Sequence, residues 1–148
     1  MRVLCLGNEL LGDDAAGTVV AERLRDLLPE GFDIDTTSES GLDLMDHVVG
    51  TDALIVVDAI QTGAPVGSVH LMREEDLPSV YGASPHYVGL SEALSVARAL
   101  NLTVPRKILI LGIEAGDTLS FGGAMLPAVR SATDLVAEMI AENIPQWS

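Results

Sequence analysis

Cysteine is almost missing from this chain of 148 residues: Cys5 stands alone, so no internal disulfide can form and a reducing cytoplasm is the expected home. Aromatic residues make up 3%, which leaves Leu, Val, Ile and Ala to build the core. Basic residues are few. Eight Lys and Arg face 22 Asp and Glu, for a net charge of −14. Such a chain is repelled by nucleic-acid phosphates and anionic lipid, and favours cations or a basic partner. No apolar run approaches the length of a membrane span, and no secretory signal opens the sequence. Spaced Cys/His metal motifs, His-Glu-x-x-His, Gly-x-Ser-x-Gly and the dinucleotide glycine pattern are also lacking. Those gaps remove a permanent metal cage, a serine-hydrolase elbow and a nucleotide fold.

What remains is an ordinary globular composition, 48% apolar and 20% charged, over a length that suits one domain, residues 1–148. Apolar runs alternate with helical patterns. That alternation predicts an α/β fold of three layers, with a twisted, mostly parallel five-stranded sheet and helices on both faces. Strands are expected over residues 2–6, 32–36, 53–57, 67–72 and 106–111. The second alternates like an edge strand. The fourth, after a short connection, should run antiparallel to its neighbour. Helices are expected over 14–28, 40–49, to about 100 after an irregular loop at 73–89, and 125–142. A second loop is expected over 112–123, and a loose tail over 145–148.

Three segments offer chemistry. Asp13 and Asp14 follow the first strand, where an open α/β sheet places its ligand crevice. One carboxylate suffices as a helix cap, so the second is free for a cation or for acid/base work. Asp58 ends the most apolar strand. His86 lies in Ser84-Pro85-His86, where Ser as cap and Pro as first residue would fix it in a helical turn. One carboxylate of the Asp13-Asp14 pair, with Asp58 and His86, makes an O,O,N set able to hold a divalent metal such as nickel or zinc, in an open and transient site. His70 is expected to face solvent, His47 to sit near the surface, and Cys5 to be an inert core residue.

The stretches Leu6-Gly7-Asn8-Glu9-Leu10-Leu11-Gly12-Asp13-Asp14, Ser40-Gly41-Leu42-Asp43-Leu44, Val56-Val57-Asp58-Ala59 and Ser84-Pro85-His86-Tyr87-Val88-Gly89-Leu90 occur in series. Together they resemble the nickel-iron hydrogenase maturation endopeptidases over nearly the whole chain. The resemblance implies an aspartyl-type cytoplasmic protease, expected to act as a monomer. It would remove the C-terminal extension of a hydrogenase large-subunit precursor after nickel insertion. Asp14, Asp58 and His86 match the family's metal ligands, which leaves Asp13 as a cap or a support. Nickel would be borne by the substrate and recognised rather than permanently held, and another divalent cation soaked into crystals is expected at the same three residues. Whether the metal polarises the scissile carbonyl, or Asp14 or Asp58 acts as general base, stays open. Two departures are Cys5 and Ala15, where many members carry glycine. The late loop Glu114–Gly122 would line the cleft. Two other readings are a peptidyl-tRNA hydrolase-like enzyme, which also has a Gly-Asn loop, and a non-catalytic metal-dependent assembly chaperone. The shortage of basic residues weighs against the first, and the lack of a His-rich or Cys-rich tract against the second.

Overall fold

The computed structural model describes residues 1–8, 12–116 and 124–147, the side chains of 145–147 excepted. Five strands form one sheet: β1 (Arg2–Leu6), β2 (Asp33–Thr37), β3 (Ala53–Ile60), β4 (Val69–Arg73) and β5 (Lys107–Glu114). Their order is β2-β1-β3-β5-β4, all parallel except β4, which runs antiparallel to β5. Helix α1 (Ala16–Leu27) and helix α4 (Pro127–Trp147) cover one face. Helices α2 (Met45–Val48) and α3 (His86–Ala99), with two 3₁₀ helices, cover the other. This is the three-layer α/β architecture read from the sequence.

The two cores follow from the two-residue period of a strand. Val3, Cys5, Ile55, Val57, Leu109 and Leu111 face α1 and α4. Leu4, Leu6, Leu54, Val56, Ile60 and Ile110 face α3. Asp58 alternates with Val56 and Ile60, so it belongs to the α3 face although it is a carboxylate. The chain leaves β1 toward β2 on one side and returns to β3 on the other. The order therefore reverses between β1 and β3, the position past the strand ends where open α/β sheets place their ligand crevice.

Several boundaries differ from the sequence reading. β3 and β5 each run past their expected ends, because the two pair continuously from Ala53–Lys107 to Ile60–Glu114. Asp58 thus lies inside β3 rather than at its end, one residue beyond the last β1–β3 pair, Cys5–Val57. β4 is antiparallel as expected, but its neighbour is β5, so the β3–β4 connection is no hairpin. Residues 73–89 are more ordered than expected: 3₁₀ turns over Glu74–Ala83, interrupted at Val80 by non-helical dihedrals, lead through the extended Ser84 to α3. The expected helix over 40–49 is a 3₁₀ turn, Gly41–Leu44, followed by α2. α4 begins two residues later than expected and absorbs most of the expected tail. Residues 9–11 and 117–123, including most of the late loop, lie outside the described residues, as does Ser148.

Candidate active site at the strand switch point

Asp14 is delivered by a tight turn from β1. Gly7 has φ +153°, and a Cβ there would stand 2.3 Å from the Asp14 carbonyl oxygen. Only glycine admits that approach. The Asn8 N–H then donates to the Asp14 carbonyl at 3.2 Å and to its Oδ2 at 3.1 Å. Gly17 presses α1 onto the end of β1, since a Cβ there would lie 2.2 Å from the Leu6 oxygen. The acidic pair sits in a 3₁₀ turn, Gly12–Ala15, ahead of α1.

Asp13 does not cap α1, which starts from Ala15 with no side-chain cap. It is fully buried and points away. Its Oδ2 accepts the Gly116 N–H at 2.9 Å, and its Oδ1 accepts the Leu126 N–H at 2.8 Å. Asp13 therefore ties the turn after β1 to the segment after β5 and to the approach to α4. Local sequence gives no sign of this, because the partners lie more than a hundred residues away.

Asp58 is fully buried, and its Oδ2 accepts a short hydrogen bond from the Ser84 hydroxyl. Among the described residues its Oδ1 meets no hydrogen-bond partner at full bonding geometry. Ser84 also accepts the His86 N–H at 3.2 Å. With Ser84 extended and Pro85 in helical dihedrals, the Ser-Pro cap works as the sequence suggested, and it additionally joins Asp58 to His86. The His86 ring is nearly buried, and its Nδ1 lacks a partner among the described residues. The Tyr87 hydroxyl, fully buried, lacks one too. Ser84 and Tyr87 flank the histidine in sequence, yet their roles beside Asp58 are visible only once β3 and α3 are packed together.

Each of the three predicted site residues senses another electrostatically. Burial pushes the Asp14 carboxyl up, against the pull of His86 and the Asn8 N–H. Burial pushes Asp58 well above its ordinary value. The Asp14 charge adds to this, while the Ser84 hydroxyl and the Ala59 N–H oppose it. Burial lowers His86, opposed by Asp14 and by the Glu39 backbone carbonyl. His86 is thus held toward the neutral imidazole, whose free nitrogen is a base or a ligand. Unpaired buried polar atoms are costly and few in folded proteins. Three of them fall on adjoining segments, beside carboxylates shifted by burial, which makes this the candidate site. Among the described residues, no three His, Cys, Asp or Glu side chains already stand as a cage for an ion.

Two expectations about the remaining histidines divide. His47 is near the surface as expected, its Nδ1 2.6 Å from Asp35 and its Nε2 3.1 Å from Glu39. Those two carboxylates raise its pKa against the opposing effect of burial, the largest single contribution. His70 does not simply face solvent. Its Nε2 lies 3.1 Å from Oε1 of the buried Glu114, which also accepts from the Thr62 N–H and hydroxyl. Cys5 is buried in β1, and burial pushes its thiol up to about 12, as befits an inert core residue.

Fold and site together define an α/β protein whose Asp14 and Asp58 come together at the switch point of a mostly parallel sheet. The model of the HycI hydrogenase maturation protease family matches residues 34–143. The chain is 31% identical to the hydrogenase 2 maturation protease of Escherichia coli, covering 99% of this chain and 97% of that one. It is 32% identical to the hydrogenase expression/formation protein HupD of Bradyrhizobium diazoefficiens, covering 95% and 77%. The hydrogenase maturating endopeptidase HybD from E. coli superposes with a TM-score of 0.81 at 29% identity, covering 99% and 93%. A maturation protease HybD from Thermococcus kodakarensis gives 0.70 at 28% identity, covering 97% and 99%. The chain belongs to the hydrogenase maturation protease family, and it is a hydrolase of the endopeptidase type. That replaces both the peptidyl-tRNA hydrolase reading and the non-catalytic chaperone reading. No helix among the described residues is long and apolar enough to cross a membrane.

Proposed function

We propose that this endopeptidase removes the C-terminal extension of a nickel-iron hydrogenase large-subunit precursor in the cytoplasm, working as a monomer. Nickel already inserted in the precursor is the recognition element, met by Asp14, Asp58 and His86. The observation that carries this reading is the pair of buried, unpartnered atoms, Asp58 Oδ1 and His86 Nδ1, at the switch-point crevice beside Asp14. A carboxylate oxygen and a neutral imidazole nitrogen suit a borderline cation such as nickel. An ion carried by the precursor brings its own ligands, so the enzyme need supply only part of the coordination shell.

Hydrolysis of the peptide bond consumes one water and yields a carboxylate and an amine. Asp58 and Asp14, with carboxyl groups shifted upward, are suited to take the proton from that water as it attacks and to return it to the leaving nitrogen. Ser84 fixes the Asp58 carboxyl, and the α3 cap fixes His86, so neither group has to be ordered when substrate binds.

The test is to mix purified enzyme with nickel-loaded and nickel-free precursor and to weigh the products. Cleavage of the loaded form alone is expected. Equal cleavage of both overturns nickel as the recognition element, and full cleavage by Asp58→Ala overturns the assignment of Asp58.

A further inference from the structure

Half of the chain's basic residues gather at the end of the sheet opposite the crevice. Arg73 closes β4, Arg98 lies in the last turn of α3, and Arg106 and Lys107 lead into β5. Together with Glu74, Glu75, Pro105 and Ile108 they line a cavity of about 440 Å³. Small-molecule sites fall in the same range, about 300–1,000 Å³. Four basic side chains against two acidic ones is a local reversal of sign in a protein of net charge −14. Gathering like charges costs free energy unless a counter-charge meets them.

The four are not equally engaged. Glu74 holds Arg98 in a two-pronged contact at 2.6 and 2.7 Å, making a fixed wall. Arg106 lies 3.7 Å from Asp52, with both side chains largely exposed, and such a pair contributes about 1 kcal/mol at most. Among the described residues, no carboxylate stands within ion-pair distance of the Arg73 or Lys107 side chains. The basin therefore has a rigid side, a loosely tied cation and two uncommitted ones.

We propose that this basin binds a small oxyanion of two or more charges, of the pyrophosphate or phosphate-ester class. An arginine fork and a lysine ammonium on one cavity match an anion with several acceptor oxygens. Among the described residues no aromatic ring lines the cavity to offer a stacking platform, and the charged group itself is what is read. The site is separate from the crevice. Lys107 pairs with Ala53 at the start of β3, whereas Asp58 pairs with Gly112. Five residue steps of strand, about 17 Å, separate them. A bound anion ties β4 and β5 to the last turn of α3, the helix whose first residue is His86.

The experiment is calorimetric titration of sodium pyrophosphate into the full chain, in metal-free buffer of low salt at neutral pH. Saturable one-to-one binding is expected, with Kd about 1 mM or tighter. The Arg73→Gln/Lys107→Gln double variant should bind about tenfold more weakly, and each single variant should show part of that loss. Precursor cleavage should stay unchanged, because neither residue touches the crevice. Arg23→Gln/Arg25→Gln removes the same charge from α1 and should bind as the parent does. Three results overturn the proposal: no saturation by about 10 mM, equal weakening by the α1 control, or tighter binding of citrate than of pyrophosphate.

Discussion

Two buried carboxylates stand near the same end of the sheet and are treated in opposite ways. Asp13 spends both oxygens on backbone N–H groups, of Gly116 and Leu126, and so joins three segments of the chain. Asp58 has one oxygen on Ser84 and the other without a partner, and burial pushes its carboxyl well up. A carboxylate whose acceptors are filled builds structure. One that is buried and half filled weakens the fold and is available to something that arrives. The difference teaches that position after a strand does not assign a role, whereas hydrogen-bond accounting does.

The sharpest way to break this contrast is Asp58→Asn. It keeps the shape and removes the ionisable group. Precursor cleavage should fall by about 100-fold or more, the scale of losing a positioned acid or base. Stability should not fall. The folded pKa of Asp58 lies above the ordinary 3.8, so its ionisation opposes folding. That penalty is absent below the unfolded pKa and grows as pH rises toward the folded one. The variant should therefore gain most over the parent at neutral and alkaline pH, by thermal melts across pH. A variant that loses stability and keeps cleavage would reverse the roles assigned to the two aspartates.

Asp13→Ala is the converse. Two backbone donors lose a charged acceptor, which costs about 2–3 kcal/mol. Chemical denaturation should show the loss at neutral pH. Cleavage by the fraction still folded should fall less than in the Asp58 variant. An Asp13→Ala protein of parental stability would mean that the clamp holds nothing.

The sequence made part of this contrast legible. Parallel strands buried on both faces read as apolar runs, so the α/β class and all five strands could be located. Asp14, Asp58 and His86 stood out because each interrupts such a pattern or begins a capped turn. The task of Asp13 was not legible, because its partners depend on how the end of β5 and the approach to α4 return to β1. The reach of β3 past Asp58 was hidden for a similar reason: the pairing with β5, not local propensity, carries both strands onward. His70 alternates like a solvent-facing residue, but Glu114 on the neighbouring strand draws it in. The cationic basin brings together residues from β4, α3 and β5, so composition pointed to scarcity of positive charge and not to its concentration.

A smaller perturbation reaches Asp58 through its partner. In Ser84→Ala the carboxyl loses the hydroxyl that lowers its pKa, so the pKa climbs further. If the carboxylate is the active form, kcat/KM should drop by about tenfold at neutral pH and recover as pH rises. The acid limb of the pH profile should move to higher pH than in the parent. Stability should fall too, and by more at alkaline pH than near the ordinary carboxyl range, since the ionised form loses a stronger hydrogen bond than the neutral one. A uniform loss of rate at every pH would assign Ser84 to the α3 cap alone.

The smallest effect expected concerns Cys5, another buried ionisable group on these strands. It lies on the opposite face of β1 from Leu4 and Leu6, among apolar neighbours of α1 and α4, with its thiol pushed up to about 12. The thiolate is the nucleophile in alkylation. Iodoacetamide at neutral pH should therefore leave the mass and the cleavage rate of the native chain unchanged, while the urea-unfolded chain gains one carbamidomethyl group. Burial shifts Cys5 as it shifts Asp58, but no unpartnered polar atom accompanies it and no crevice opens onto it. Labelling of the native chain, with loss of cleavage, would show that burial was misread as inertness and would extend the reactive region from the α3 face to the α1 face.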